Sequence, residues 1–256
     1  MKRLFQRTKE FIIEFAFGMT DVGMNRDSNE DAFLLLPDKQ LYIVSDGMGG
    51  HNAGEVASHT AVNALETYYA QLAISTNNAE AIKETMIDAI SEANKKVWDM
   101  SRSRSEYSGM GCTVAMVFID GNKIHACHIG DSRVYVINRK EIVQVTTDHS
   151  VVTELVQAGT MTKKEARFSD LKNQLTQAIG ISSSIRPGYN MRQVEKCDIV
   201  LLCTDGLWDM LEDDKIFKAV HKGGMPEEIC ARLIHMANEA GGEDNITVIV
   251  ARISGK

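Results

Sequence analysis

With 256 residues, 44% of them hydrophobic and 25% charged, the chain is long enough to bury a large core without staples. Its net charge of −7 excludes a general affinity for nucleic acid. No apolar run approaches the roughly 20 residues of a membrane span, and the five scattered cysteines, with no C-x-x-C pair, read as free thiols of a reducing compartment.

The N-terminus carries Lys2, Arg3, Arg7 and Lys9 ahead of "FIIEFAF". Glu14 interrupts that apolar stretch and no small-residue cleavage site follows, so residues 1–10 read as a basic, solvated tail and the chain as cytoplasmic. "EFAFGMTDVG" and "LYIVS" read as strands, and "GEVASHTAVNALETYYAQL" and "AEAIKETMIDAISEANKKVWDM" as long helices. In the second helix Ile82, Met86, Ile90, Ala93 and Val97 recur at helical spacing. The stretch "GCTVAMVFIDGNKIHACHIGDSRVYVINRKEIVQVTT" holds four strand-like runs separated by "DGNK", "GDSR" and "NRKE". Connections that short join antiparallel neighbours, so a meander is expected, with a hairpin turn at Asp120-Gly121. An irregular, partly helical region follows from His149 to about Pro187, in which His149, Lys163 and Lys164 read as surface residues. Strands "MRQVE" and "DIVLLCT", helices starting near Asp209 and Pro226, and a last strand "NITVIVARI" complete the chain. With three prolines, no linker and no internal repeat, residues 1–256 read as one α+β domain with a layered-sandwich architecture.

Two apolar runs end on Asp-Gly, in "VSDGMGG" and "LCTDGLWD". Taken singly, Asp-Gly is a hairpin signal, but each of these leads into a helical stretch instead of a returning strand. A third acidic step, "GGEDN", precedes the last strand. Asp46, Asp205 and Asp244 therefore sit at strand ends, where loops carry function. Carboxylates gathered at one rim repel one another unless cations separate them. Oxygen donors with no converging Cys or His suit Mg²⁺ or Mn²⁺ better than zinc. Gly47, lacking a side chain, leaves its backbone carbonyl open to a close metal contact.

"RDSNEDAF", "VSDGMGGHNAGEVAS", "GCTV", "HIGDSRVY", "LCTDGLWD" and "GGEDNITVIV" resemble, in order, the motifs of the metal-dependent type 2C serine/threonine protein phosphatases, in their bacterial branch. The likeness runs from about Gly18 to Ile253. It implies a four-layer α-β-β-α sandwich of two antiparallel sheets flanked by helices. It also implies two Mn²⁺ or Mg²⁺ ions, with Asp46 bridging both, the Gly47 carbonyl on one, and Asp205 and Asp244 on the other. Glu30 and Asp31 would orient metal-bound waters, Arg26 would grip the substrate phosphate, and His51 would protonate the leaving alcohol. Asp131 and Asp209, with Asp205, would form a weaker third metal site, although "GDSR" is also good turn chemistry.

The reaction so implied is in-line hydrolysis of phosphoserine or phosphothreonine by a metal-activated water, without a phosphoenzyme. The implied partners are phosphoproteins and a cognate Ser/Thr kinase, met by a monomer. The region from about 151 to 185 corresponds to the family's variable flap. Two rival readings stand beside it. Cys127 and Arg133 have the C-x₅-R spacing of cysteine-dependent phosphatases, but Asp131 would put a negative charge in the thiolate's cradle, and "VYVIN" continues as a strand rather than a helix. A non-catalytic phosphoprotein-binding regulator of the same fold should lack a metal carboxylate or the phosphate-binding Arg, and none is missing.

Overall fold

Strands buried on both faces need no polar alternation, and the central strands here are near-continuous apolar runs for that reason. A computed structural model describes residues 11–50, 53–72 and 78–255; the basic tail at 1–10 and His51 lie outside them. One sheet has the order β1 (Phe11–Asp21), β12 (Ile246–Gly255), β11 (Ile199–Cys203), β8 (Arg133–Ile137), β9 (Ile142–Gln144). The other runs β10 (Gly188–Gln193), β7 (Lys123–Ile129), β6 (Val114–Asp120), β3 (Leu41–Ser45), β2 (Ala32–Leu36). All neighbours pair antiparallel.

Side chains alternate across each strand, and this splits the apolar residues among three cores. Tyr42, Val44, Ala115, Val117 and Ala126 face Val134, Val136, Val200, Leu202 and Ile249 between the sheets. Leu41, Ile43, Met116 and Cys127 point the other way, under α1 (Ala53–Gln71) and α2 (Ala79–Ser101). Ile82, Met86, Ile90, Ala93 and Val97 are buried there, as their spacing requires. On the opposite side Leu201, Cys203, Val248 and Val250 pack beneath α5 (Asp205–Trp208), α6 (Asp213–His221) and α7 (Pro226–Glu239). Helices, two sheets and helices thus form the four-layer α+β sandwich.

The expected meander is corrected. Asp120 does pair with Lys123 around Gly121 (φ +56°), and β8 pairs with β9, so two of the three turns are hairpins. "GDSR" is not: β7 lies in one sheet and β8 in the other. Three residues, 130–132, reach about 10 Å at about 3.3 Å each, the spacing of stacked sheets, so a short connection can turn a corner between layers. Gly130 adopts φ +93°, and a Cβ there would strike the Thr113 side chain. His149 is also not a free surface residue. Its ring stacks on His128 at 4.7 Å, its Nδ1 accepts from the Gly130 N–H at 3.2 Å, and burial pushes it down to about 4. Two boundaries shift: α5 begins at Asp205 itself, and β10 begins at Gly188, ahead of "MRQVE".

The inter-sheet core predicts a clear contrast in stability. Leu202→Ala, at a fully buried position, should lower unfolding free energy by about 3 kcal/mol in urea titrations. Leu72→Ala, exposed just beyond the end of α1, should change it by less than about 0.5 kcal/mol.

Candidate metal centre

One open end of the sandwich collects the acidic strand ends. Asp46 lies between β3 and a two-residue strand, β4 (Gly47–Met48), which pairs with β5 (Gly111–Cys112). No hairpin returns after Asp46. The residue is pinned on both backbone sides by Thr113: its N–H donates to Thr113 Oγ1 at 3.1 Å, and its carbonyl accepts from the Thr113 N–H at 2.8 Å. Gly47 donates to the Glu30 carbonyl at 3.1 Å, and a Cβ there would run into the carbonyl oxygens of Gly54 and Glu30. Close packing of α1 on this turn is thus an additional reason for glycine.

Asp205 opens α5 directly after the buried Thr204. The Thr204 hydroxyl donates to Asp31 Oδ2 at 2.8 Å and accepts from the Thr247 N–H at 3.0 Å, tying β11, β12 and the Asp31 turn into one frame. Asp244 precedes β12. The next residue, Asn245, accepts from the Glu30 N–H at 2.7 Å and donates to the carbonyls of Val22 and Ser28 at 2.9 Å each. Asp131 sits at the sheet-switching corner, buried, its carbonyl accepting from Trp208 Nε1 at 3.1 Å.

These carboxyls share one electrostatic environment. Burial raises Asp31, Asp46 and Asp131 well above the usual carboxylate range, and the charge of Asp205 adds to each. Asp205 is pushed up to about 6 by burial and then by the charge of Asp244, with Asp46 acting in the opposite sense. Asp31 Oδ1 and Asp205 Oδ1 are buried without a hydrogen-bond partner.

Among the described residues no three Asp, Glu, His or Cys side chains close into a finished cage. Asp244 Oδ2 is instead held by Arg26 at 2.7 Å, and Asp209 Oδ2 by Lys172 at 2.6 Å. An all-oxygen donor set and partnerless buried oxygens together fit hard divalent cations. Glu30 is half-buried at the same rim, feeling the charges of Arg26 and Asp244. The fold therefore brings Arg26, Glu30, Asp31, Asp46, Gly47, Asp131, Asp205, Asp209 and Asp244 to one end of the sandwich.

Several residues at this end escaped the sequence reading. Thr113, Thr204 and Asn245 stand inside "GCTV", "CTDG" and "EDN", where position within the motif was the available signal. Arg133 closes a buried network: its guanidinium lies 3.7 Å over the Trp208 ring, binds Asp148 through Nη2 at 2.6 Å, and donates to the Tyr135 hydroxyl at 2.9 Å. That network also answers the cysteine rival. Arg133 is committed to Asp148, and the Cys127 thiol is buried in β7 and pushed up to about 12. No thiolate forms there near neutral pH.

A sequence model described as "Protein phosphatase 2C" matches residues 24–237. Protein phosphatase PhpP of Streptococcus pneumoniae is 35% identical over 239 residues, covering 92% of this chain and 96% of that protein. Serine/threonine phosphatase stp of Listeria monocytogenes is 33% identical over 234 residues, covering 90% and 92%. Among solved structures, Stp1 from Staphylococcus aureus superposes with a TM-score of 0.90 at 32% identity, covering 95% of this chain and 96% of that one. The catalytic domain of PstP in complex with two manganese ions superposes with a TM-score of 0.83 at 31% identity, covering 95% and 99%.

The raised carboxyls give a signed pH dependence for the protein held in chelator. A carboxyl raised when folded stabilises the fold fully below its unfolded value, and that stabilisation is lost as pH rises through the folded value. Asp205, near 6 when folded, gives a contribution that is lost between about pH 4 and about pH 7, while His149, pushed down to about 4 when folded, gains stability as pH rises over the same range. In chelator the parent Tm minus that of Asp205→Asn should therefore fall from about pH 4 to about pH 7. A difference that grows over this range contradicts the raised Asp205.

Proposed function

This chain belongs to the protein phosphatase 2C family, and we propose that its carboxylate rim hydrolyses phosphoserine and phosphothreonine in proteins by direct transfer of the phosphoryl group to water. The enzyme is a metal-dependent protein serine/threonine phosphatase. The observation that carries the reading is an all-oxygen rim, with Asp205 Oδ1 and Asp31 Oδ1 buried and partnerless, and an arginine at its mouth.

In this reading Asp46, the Gly47 carbonyl, Asp205 and Asp244 would hold two divalent ions, and Glu30 and Asp31 would orient waters beside them. Asp131, Asp205 and Asp209 would hold a weaker third cation. Such ions, when bound, lower the pKa of a water toward neutrality and neutralise phosphoryl oxygens. Arg26 is exposed, and its fork matches phosphate geometry. Once Asp244 serves as a ligand, Arg26 loses its present partner and is free to clamp the substrate. His51 follows directly on the Gly49-Gly50 turn, and in this reading it gives a proton to the departing serine or threonine oxygen.

Thr113 holds the Asp46 backbone and Thr204 the Asp31 carboxyl from behind, so the rim is pre-organised for cations without internal positive charge. The enzyme acts as a cytoplasmic monomer and single catalytic domain, with a cognate Ser/Thr kinase among its substrates. The region 151–185 contacts substrate proteins. No helix among the described residues is long and apolar enough to cross a membrane.

Turnover of a phosphothreonine peptide and of a small aryl phosphate, with Mn²⁺, with Mg²⁺ and in chelator, tests the reading. Chelator should abolish turnover of both, and Asp205→Asn should cost at least about 100-fold in kcat while the fold persists. His51→Gln should lower kcat on the peptide and spare the aryl phosphate, whose leaving group needs no proton. Full turnover in chelator sinks the metal reading, and equal loss on both substrates removes the acid role of His51.

A further inference from the structure

The segment ahead of Arg26 runs beside the turn that carries Asp244. The Met24 N–H donates to the Gly242 carbonyl at 2.8 Å, and Arg26 reaches Asp244 Oδ2 at 2.7 Å, so residues 24 and 26 lie against 242 and 244. The segment is also anchored from behind, because Asp21 Oδ1 accepts from the Gly23 N–H at 2.9 Å and from Asn238 Nδ2 at 3.0 Å. The Met24 side chain lies over Gly242, where a Cβ would come within 2.7 Å of its Cγ. A second methionine flanks the same turn. Met210 is half-buried, and its Sδ stands 3.6 Å from where a Cβ on Gly241 would be.

Met24 is nonetheless 67% exposed. Single exposed apolar side chains are ordinary on a protein surface, and this one differs in where it is held. Among the described large hydrophobics only Phe168 is more exposed. Phe168 belongs to the flap, a loop closed on its own stem by the bridge between Ser150 and Leu175, and it follows the flap helices α3 (Val151–Gln157) and α4 (Lys163–Arg167). Met24 stands instead on a backbone-bonded segment two residues from Arg26, at most about 7 Å from it along the chain. Successive residues of an extended peptide are spaced by about 3.3 Å. A substrate whose phosphate sits on Arg26 therefore has the side chain one or two positions away within reach of Met24. Methionine suits that place, because its flexible, polarizable thioether adapts to apolar partners of different shape.

We propose that Met24 is a specificity-determining residue, packing against an aliphatic side chain one or two positions from the phosphorylated serine or threonine, so that phosphoproteins apolar beside the phosphate are preferred. The inference rests on the reading of Arg26 as the phosphate clamp. Covering Met24 takes apolar surface of both partners out of water. An open ledge covers less of a side chain than an enclosed pocket, whose discrimination per methylene is about tenfold or more, so a preference of about fivefold is expected. The contact is made before the phosphoryl group moves. It therefore binds ground and transition states alike and is read in KM. Its surroundings are acidic, with Asp27 and Glu243 exposed on the same two segments, so an apolar preference is distinguishable from attraction of a basic residue.

The test is steady-state kinetics of the full chain with Mn²⁺ on phosphothreonine peptides. Each of the two positions on either side of the phosphothreonine is made in turn alanine, leucine or lysine. For the parent protein, leucine at one of these positions should raise kcat/KM about fivefold over alanine, through KM. Met24→Ala should bring that ratio to about one, and Met24→Leu should keep it. Met24→Glu should transfer the preference to lysine at the same position, a gain that a merely structural role does not produce. Arg26→Ala should slow all the peptides while the leucine preference persists. A parent that turns the peptides over with no leucine preference at any position overturns the proposal alone. So does a Met24→Ala protein that slows every peptide alike and keeps the leucine ratio, because Met24 then only supports Arg26. A lysine preference in the parent assigns the ledge to Asp27 and Glu243 and also overturns the proposal. An Arg26→Ala protein that matches the parent on every peptide removes the clamp reading and the proposal with it.

Discussion

Like charges held together at the open end of a two-sheet sandwich cannot all be expressed at once, and the rim of this protein is organised around that conflict. Asp31, Asp46, Asp131, Asp205 and Asp244 lie in one electrostatic neighbourhood. The fold frames them with neutral donors and acceptors: Thr113 on both backbone sides of Asp46, Thr204 between the Asp31 carboxyl and the Thr247 N–H, and Asn245 across Val22, Ser28 and Glu30. Among the described residues, the side-chain cations that pair with rim carboxylates, Arg26 on Asp244 and Lys172 on Asp209, stand at its edges. Buried charge without a partner is costly. Burial and like charge both raise the carboxyls there, and the three apolar cores hold the strand ends together against the repulsion.

The sheet-switching corner is where architecture becomes chemistry. The chain leaves β7, crosses to the other sheet at Gly130, and deposits Asp131 on the rim as it does so. Arg133, two residues on, stacks over Trp208 and binds Asp148. Trp208 in turn fixes the Asp131 carbonyl, while Asp148 leads through His149 into the flap stem. Rim, α5 and flap therefore share one set of buried contacts, in which His128 and His149 stack as neutral rings kept that way by burial. A substitution at Arg133 reaches both ends of this network.

Much of this was legible in the sequence because the strands are short apolar runs bounded by turn residues and the long helices show a clean period. The carboxylates were found because their Asp-Gly steps lead into helices rather than hairpins. The corner at "GDSR" was misread for a physical reason: a three-residue connection is equally compatible with a hairpin and with a step between stacked sheets, and local sequence does not separate them. His149 looked like a surface residue because the ring that covers it, His128, is 21 positions away. Lys172 left no signal at all. Its partner Asp209 lies 37 residues on, and "LKNQ" has neither period nor motif.

The central claim is that the rim holds protons where it is built to hold cations, and proton release on metal binding measures this directly. Mn²⁺ is titrated calorimetrically into chelator-stripped protein at about pH 6 in two buffers of different ionisation enthalpy, because metal ligands must shed their protons to bind. The account predicts net proton release on Mn²⁺ binding at that pH, and less at about pH 8. Mn²⁺ binding whose heat is independent of the buffer at about pH 6 contradicts it.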